Sequence, residues 1–259
     1  MLRSMQDLES LTLGAIDGDI GTVKDFYFDD EVWVVRYLIV DTGSWLFSRK
    51  VLIPPFAIKE NDIGSHRLLV TLNKDQVENS PNIGTDRPIS RQHEMQSLSY
   101  YGYPYYWGSA GNASSSGGPD SLTRKNLATA HRLLHQNDDP HLRSCQAIIG
   151  YHIRATDGEI GHVESLLINE ETWAVQYLVV YTSNWWLGHT VLISPEWIDS
   201  VSWEDQTVAL DLDQDAVKTS PQYDSSEQLN RGHEATLYKH YGRVGYWQVE
   251  TVTQINVRE

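Results

Sequence analysis

The sequence predicts a mainly β chain built as two tandem small β-barrels, with short helical segments and irregular tails. Three observations predict it. The segment DGEIGHVESLLINEETWAVQYLVV, Asp157 to Val180, repeats DGDIGTVKDFYFDDEVWVVRYLIV, Asp17 to Val40, with no gap. Short apolar runs alternate with turn signals about every 8–12 residues, the spacing of small all-β folds. No amphipathic pattern of about 10–15 residues separates the strands, which disfavours a parallel α/β sheet.

The second copy shows the elements in order. CQAIIGYHIRAT is mostly apolar with partial alternation and reads as a strand. Asp157-Gly158 is a tight-turn signal, and Gly161 predicts a bulge or a close strand crossing. HVESLLI is the next strand, turned at Asn169-Glu170-Glu171. TWAVQYLVVYT is a longer strand rich in aromatic and β-branched residues. Ser183-Asn184 turns the chain into GHTVLI, which Pro195 stops. TVALDLD alternates cleanly as a fifth strand, and DQDAVKTSP reads as one helical turn closed by Pro221. Closure into a barrel would dispose of the edge strands. Each copy then ends in a segment without strand periodicity, DRPISRQHEMQSLSYYGYPYYW in the first and SSEQLNRGHEATLYKHYGRVGYW in the second.

The offset of 140 residues between the copies holds beyond these strands. LRSMQ, Leu2–Gln6, matches LRSCQ, Leu142–Gln146, and VLIPP, Val51–Pro55, matches VLISP, Val191–Pro195. Tyr106-Trp107 matches Tyr246-Trp247. The expected domains are therefore 1–107 and 141–247, each with its tail, followed by a C-terminal extension, 248–259. Between the repeats lies a linker, 108–140, whose Gly- and Ser-rich start reads as flexible and whose Leu122–His135 stretch reads as a short helix.

Bulk properties narrow the function classes. A chain of 259 residues can bury two ordinary cores. A formal charge of −15 opposes binding to phosphate backbones or anionic lipid, so no nucleic-acid partner is expected. The single cysteine, Cys145, excludes an intrachain disulfide and fits a reducing compartment. No secretory h-region is visible, and no apolar run approaches the ~20 residues of a membrane helix. The expectation is a cytoplasmic protein without direct membrane insertion.

The turn and strand-end motifs resemble the PRC-barrel family, named for the cytoplasmic domain of the photosynthetic reaction centre H subunit. The resemblance rests on Asp157–Gly161, Tyr177–Val180 and Val191–Pro195, and on Asp17–Gly21, Tyr37–Val40 and Val51–Pro55 in the first copy. It implies two tandem PRC-like barrels over roughly 1–80 and 141–220. The ribosome-maturation relative carries a preceding N-terminal domain and the H subunit a membrane helix, neither of which this sequence matches. The sequence looks like tandem soluble members of the family. The resemblance implies an interaction or adaptor fold with no dedicated cofactor.

Candidate sites divide by residue type. Asp17-Gly18 and Asp157-Gly158 read as hairpin geometry, since no following helix or Walker lysine supports a phosphate cradle. Trp33 and Trp173 read as core or barrel-mouth residues. Trp45-Leu46-Phe47 and Trp185-Trp186-Leu187 are apolar runs near a turn in both copies. They are the preferred contact patch, between barrels or between protomers. The acidic turns Asp29–Glu31 and Asn169–Glu171 lack the ligand spacing of a calcium loop and read as solvated surface. His131 and His135 share a helix face without the zinc-protease Glu, so no metal is expected there. Arg91, His93 and Glu94 recur as Arg231, His233 and Glu234. They form either a charge-assisted lock pinning the tail to the barrel or a proton-handling pair, the lock being preferred. The run Tyr100 to Trp107 lacks the basic neighbours of a nucleic-acid platform and reads as packing or protein interface. Cys145, opposite Met5 of the first copy, reads as a core hydrophobe.

No catalytic or cofactor-binding constellation emerges. The expected function is protein–protein interaction or structural adaptation, with a protein partner or self-association into a homo-oligomer. The alternative is a small-ligand binder or enzyme with a site in the cleft between the barrels.

Overall fold

The computed structural model describes residues 1–46, 49–62, 65–81, 91–105, 141–182 and 188–248. The chain forms two compact units. The first-repeat unit is Asp7–Cys145, and the second-repeat unit joins Met1–Gln6 to Gln146–Glu259.

The first half carries β1 (Leu2–Ser4), β2 (Thr12–Ala15), β3 (Gly18–Asp29), β4 (Val34–Asp41), β5 (Lys50–Ile53), β6 (Ile58–Asp62) and β7 (Arg67–Val70). The second half carries β8 (Leu142–Ser144), β9 (His152–Ala155), β10 (Gly158–Asn169), β11 (Val175–Tyr181), β12 (Thr190–Ile193), β13 (Ile198–Ser202) and β14 (Thr207–Leu210). Helices are α1 (Met5–Leu8), α2 (Lys74–Glu78), α3 (Arg91–Tyr101), α4 (Cys145–Ile148), α5 (Gln214–Lys218) and α6 (Arg231–His240).

Each unit is one seven-stranded mixed sheet. The paths run β5-β4-β3-β2-β7-β6 and β12-β11-β10-β9-β14-β13. Pairings are antiparallel except β2–β7 and β9–β14, which are parallel. One edge of the long strand β10 is shared, by β9 along Gly158–His162 and by β1 along Leu167–Asn169. Strand β3 is shared likewise between β2 and β8. Each sheet therefore includes a strand from the other half of the sequence.

The expected closed PRC-like barrels are corrected by this topology. Among the described residues no ladder joins β12 to β13, or β5 to β6, so neither sheet closes. The reason lies in the connection. Pro195 opens a 3-10 turn, Pro195–Trp197, directly after β12, and Pro55 does the same after β5. Proline has no N–H to continue a ladder, and the chain leaves to pair β13 with β14 at the far end of the path.

The irregular tails are also corrected. They contain α3 and α6. Asn230 caps α6, its side-chain oxygen accepting from the N–H groups of Gly232 and His233. No apolar stripe announces this helix, because its buried residues are Glu234, Leu237 and Tyr238. The strand expected for CQAIIGYHIRAT is a helical turn, α4, followed by β9. Cys145 and Ile148 are both buried, one turn apart, and Gly150 at φ +85° leaves the helix.

Two glycine expectations acquire a physical cause. Gly161 sits at a register shift of β10, and a Cβ there would collide with the Tyr181 carbonyl. Gly21 meets Asp41 in the same way. The Asp157 carboxylate does more than shape its turn. It accepts the N–H of Gln214 at the start of α5 at 2.8 Å, as Asp17 accepts that of Lys74 at 2.9 Å. Tyr177, Leu178, Val179 and Val180 are buried consecutively, so β11 is covered on both faces. Such side chains contribute about 1.5–3 kcal/mol each when fully buried.

Candidate functional site

A buried polar cluster lies in the second-repeat unit, between β11 and α6. Glu234 is 4% exposed. Its Oε1 accepts the hydroxyls of Tyr177 and Tyr246, both at 2.9 Å. Its Oε2 lies 2.9 Å from an Arg231 guanidinium nitrogen one helical turn away. The guanidinium also lies over two rings, 5.0 Å from the centre of Tyr246 and 4.4 Å from Trp247. Tyr238 packs edge-on against Trp197 and Trp247. A carboxylate so placed is satisfied by charge-assisted hydrogen bonds on both oxygens.

Burial, then the neighbouring Glu234 charge, pushes the Tyr177 hydroxyl far above its usual range. Tyr246 is pushed up to about 12 by burial, against the opposing hydrogen bond of Arg231. Burial alone would lower Arg231, but the Tyr246 hydrogen bond and the Glu234 charge outweigh it and raise it. All three groups keep their ordinary neutral-pH state. The cluster is thus a set of fixed donors around one carboxylate.

Of the recurring Arg, His and Glu residues, the structure brings Arg231 and Glu234 together and leaves His233 aside. His233 is exposed and lines a shallow cleft of about 160 Å³ with Leu192, Tyr223, Asp224, Glu227 and Leu237. In the first-repeat unit Glu94 is fully buried, as is Tyr37 at the position matching Tyr177. The side chains of Arg91 and His93 lie outside the described residues, as do Phe47, Trp185, Trp186 and Leu187 and the side chain of Trp45. Leu46 is half-buried in a 3-10 turn, Gly43–Leu46. The linker helix expected over 122–135, with His131 and His135, also lies outside the described residues.

An aromatic face marks the first-repeat unit. Phe56 is 64% exposed and its ring lies 6.3 Å from that of Tyr103. Tyr101 lies 6.4 Å from Tyr103 and 5.1 Å from Tyr100, which is 40% exposed. The matching positions in the second repeat hold Glu196, His240, Tyr241 and Arg243. There Arg243 is paired with Asp211 at 2.6 Å. The repeats share a scaffold and differ at this surface.

Trp33 and Trp173 are buried, at 9% and 7% exposure. Both adopt left-handed backbone, φ +54° and +59°, which is unusual for a bulky residue. Each closes a turn whose first side chain, Asp29 or Asn169, accepts two backbone N–H groups. The acidic turns are not plain solvated surface. Asp30 accepts from Arg143 and His141, each at 3.0 Å, and Glu170 from Arg3 at 3.3 Å. Sequence reasoning missed this role. Its available signal was the repetition of LRSMQ and LRSCQ, which only the fold brings beside the acidic turns.

Among the described residues no group of three or more His, Cys, Asp or Glu side chains is placed to hold a metal ion. Cys145 is fully buried, and burial followed by the charges of Asp25 and Glu9 pushes its thiol well up, away from a nucleophilic thiolate. Among the described residues no helix is long and apolar enough to cross a membrane.

Comparison with known proteins agrees with the strand motifs. Residues 8–77 match the PRC-barrel domain. An uncharacterized protein from Deinococcus radiodurans is 35% identical over 78 residues, 30% of this chain and 28% of that protein. The chain thus spans less than a third of the length of this relative. The first repeat holds a PRC-barrel domain, and the second repeat forms a sheet of the same strand order, a tandem arrangement.

Proposed function

We propose that the chain is a non-catalytic adaptor that binds a protein partner through the aromatic face of its first-repeat unit. The observation that carries this reading is the divergence of the repeats. Phe56, Tyr100 and Tyr103 are linked through Tyr101 into a partly exposed set, and where the second repeat keeps the tyrosine, as Tyr241, it carries Glu196, His240 and Arg243 at the other three positions. Exposed aromatic clusters supply the anchors of protein interfaces. The Trp45-Leu46-Phe47 and Trp185-Trp186-Leu187 runs are proposed as additional contact residues. The net charge of −15 suits a partner with a basic rim. The match of residues 8–77 to the PRC-barrel domain, whose family the sequence motifs resemble as an interaction fold, supports an adaptor role.

The Arg231–Glu234 cluster is assigned a structural role in this reading, pinning the tail helix to β11. Arg91, His93 and Glu94 are proposed to do the same in the first repeat, and a cytoplasmic location fits the single unpaired cysteine. A small-ligand site is the second reading, favoured by the cleft beside His233. Its volume of about 160 Å³ falls below the roughly 300 Å³ at which ordinary ligand pockets begin.

Affinity purification from native lysate tests the adaptor reading. Wild-type chain is expected to retain a discrete partner that Phe56→Glu and Tyr100→Glu lose and Glu196→Ala keeps. Recovery of the same set by all variants, or of the chain alone, overturns it.

A further inference from the structure

Each sheet is completed by a strand that its own repeat does not supply. β1 lies along β10 with Leu2 opposite Asn169, Arg3 opposite Ile168 and Ser4 opposite Leu167. β8 lies along β3 with Leu142 opposite Asp29, Arg143 opposite Phe28 and Ser144 opposite Tyr27. The register is the same in both. So is the backbone bond that follows it, Glu170 N–H to the Met1 carbonyl at 3.0 Å and Asp30 N–H to the His141 carbonyl at 2.8 Å.

The side chains repeat the recognition with different residues. Arg3 meets Glu170 where Arg143 meets Asp30. Ser144 donates to the Asp25 carboxylate at 2.5 Å, and Ser165, at the position matching Asp25, donates to the side-chain oxygen of Gln6, two residues beyond Ser4. The next residue is an apolar anchor in both segments, Met5 at 1% and Cys145 at 0% exposure. Two independent instances in one chain therefore define one rule. An extended Leu-Arg-Ser segment, followed by a buried anchor and Gln, fits a long-strand edge beside an acidic turn. The match to the PRC-barrel domain begins at residue 8, so the docking segment lies outside it.

We propose that this segment is a docking peptide, that the edges of β3 and β10 beside the acidic turns are its acceptors, and that the partner these edges fit is a second copy of this chain. The acceptor already binds a segment from a different repeat, so a matching segment on another chain presents the same groups. When Leu2–Ser4 leaves β10, the edge exposes unpaired backbone groups beside Glu170, the situation that strand addition relieves. Reciprocal exchange between two chains closes with two-fold symmetry and creates no new contact type. In a single chain the tether keeps the segment at high effective concentration, so exchange between chains emerges when the internal pairing is weakened. This inference does not rest on the aromatic face, and either can fail alone.

A charge-swap experiment on the full chain tests it. Arg3→Glu spoils the segment and leaves the β10 acceptor intact, whereas Glu170→Arg does the converse. Each variant alone is expected to keep the wild-type mass in light scattering. An equimolar mixture, warmed and cooled, is expected to yield a species of twice that mass. The double variant Arg3→Glu, Glu170→Arg is expected to return to the wild-type mass. A mixture that keeps the mass of its components overturns the proposal. A second measurement covers the case of poorly folded Glu170→Arg. A fluorescent peptide of residues 1–8 is expected to bind the Arg3→Glu chain at least about ten-fold more tightly than wild type. Equal binding, or none to either, also overturns it.

Discussion

The Tyr177 hydroxyl on β11 donates to Glu234 on α6 at 2.9 Å, and both side chains are buried. This bond joins a sheet strand to a helix that lies far along the chain, and Tyr246 and Arg231 complete the carboxylate's shell. Tyr177→Phe removes one donor and is expected to lower the unfolding free energy by about 1.5–3 kcal/mol, the range for hydrogen bonds to charged groups. Glu234→Ala strands Tyr177 as well and is expected to cost about 3 kcal/mol, the low end for a broken buried pair, because Arg231 is half exposed. Urea denaturation of the three proteins checks this. Equal stability of Glu234→Ala and wild type would remove the cluster from the fold's support.

Much of this framework is legible in the repeat. Strand positions, the turn aspartates and the close approach at Gly161 follow from local patterns that both copies keep. The helix α6 is not legible, because its packing face includes Glu234, and a buried carboxylate breaks the apolar period. The open sheets are not legible either. Closure depends on whether β12 meets β13, and Pro195 decides that through geometry that no periodicity encodes. The exchanged strands β1 and β8 show in the sequence only as a repeated LRS, since three residues carry no strand periodicity. His233 recurs beside Glu234 yet faces the cleft, because helical spacing turns adjacent residues to different sides.

The left-handed backbone at Trp173 separates strain from burial. Trp173→Ala loses the buried ring and keeps the strained conformation, for an expected loss of about 3–5 kcal/mol. Trp173→Gly loses the same ring and relieves the strain, so it should be more stable than the alanine variant by about 1 kcal/mol. Thermal or urea unfolding of the pair measures the difference. An alanine variant as stable as the glycine one would show that the conformation carries no strain.

Alkaline pH should unfold the protein through its buried tyrosines. Burial, opposed by the Ser80 hydroxyl, raises Tyr101 from 10.0 to about 12. Burial, opposed by Ser220, raises Tyr241 from 10.0 to about 12. Tyr246 rises to the same level. A raised folded-state value means that the unfolded chain loses its proton first. The resulting stabilisation is complete below pH 10 and is lost as pH rises towards 12. The tyrosine contribution to the unfolding free energy is therefore expected to fall steeply above pH 10. Tyrosinate absorbance and circular dichroism followed together check the coupling. Tyrosine ionisation completed near pH 10, with the fold intact, would contradict it.

Gly161 and Gly150 need glycine for different reasons, and alanine distinguishes them. At Gly161 an added Cβ runs into the Tyr181 carbonyl and lies 2.9 Å from its carbon. The obstacle is backbone held in the β10–β11 ladder, so it cannot turn away as a side chain would. Gly161→Ala is expected to lose about 3 kcal/mol or more, the upper range for overpacking. At Gly150 nothing lies within 4 Å of a Cβ, and only the positive φ of +85° resists substitution. Gly150→Ala is therefore expected to lose about 1–2 kcal/mol. Gly21→Ala should behave like Gly161→Ala, since Asp41 supplies the same backbone obstacle in the first repeat. Urea unfolding of the three variants sets the order. A Gly150 variant as damaged as the other two would mean that the close approach of backbone at Gly21 and Gly161 costs no more than the left-handed conformation at Gly150.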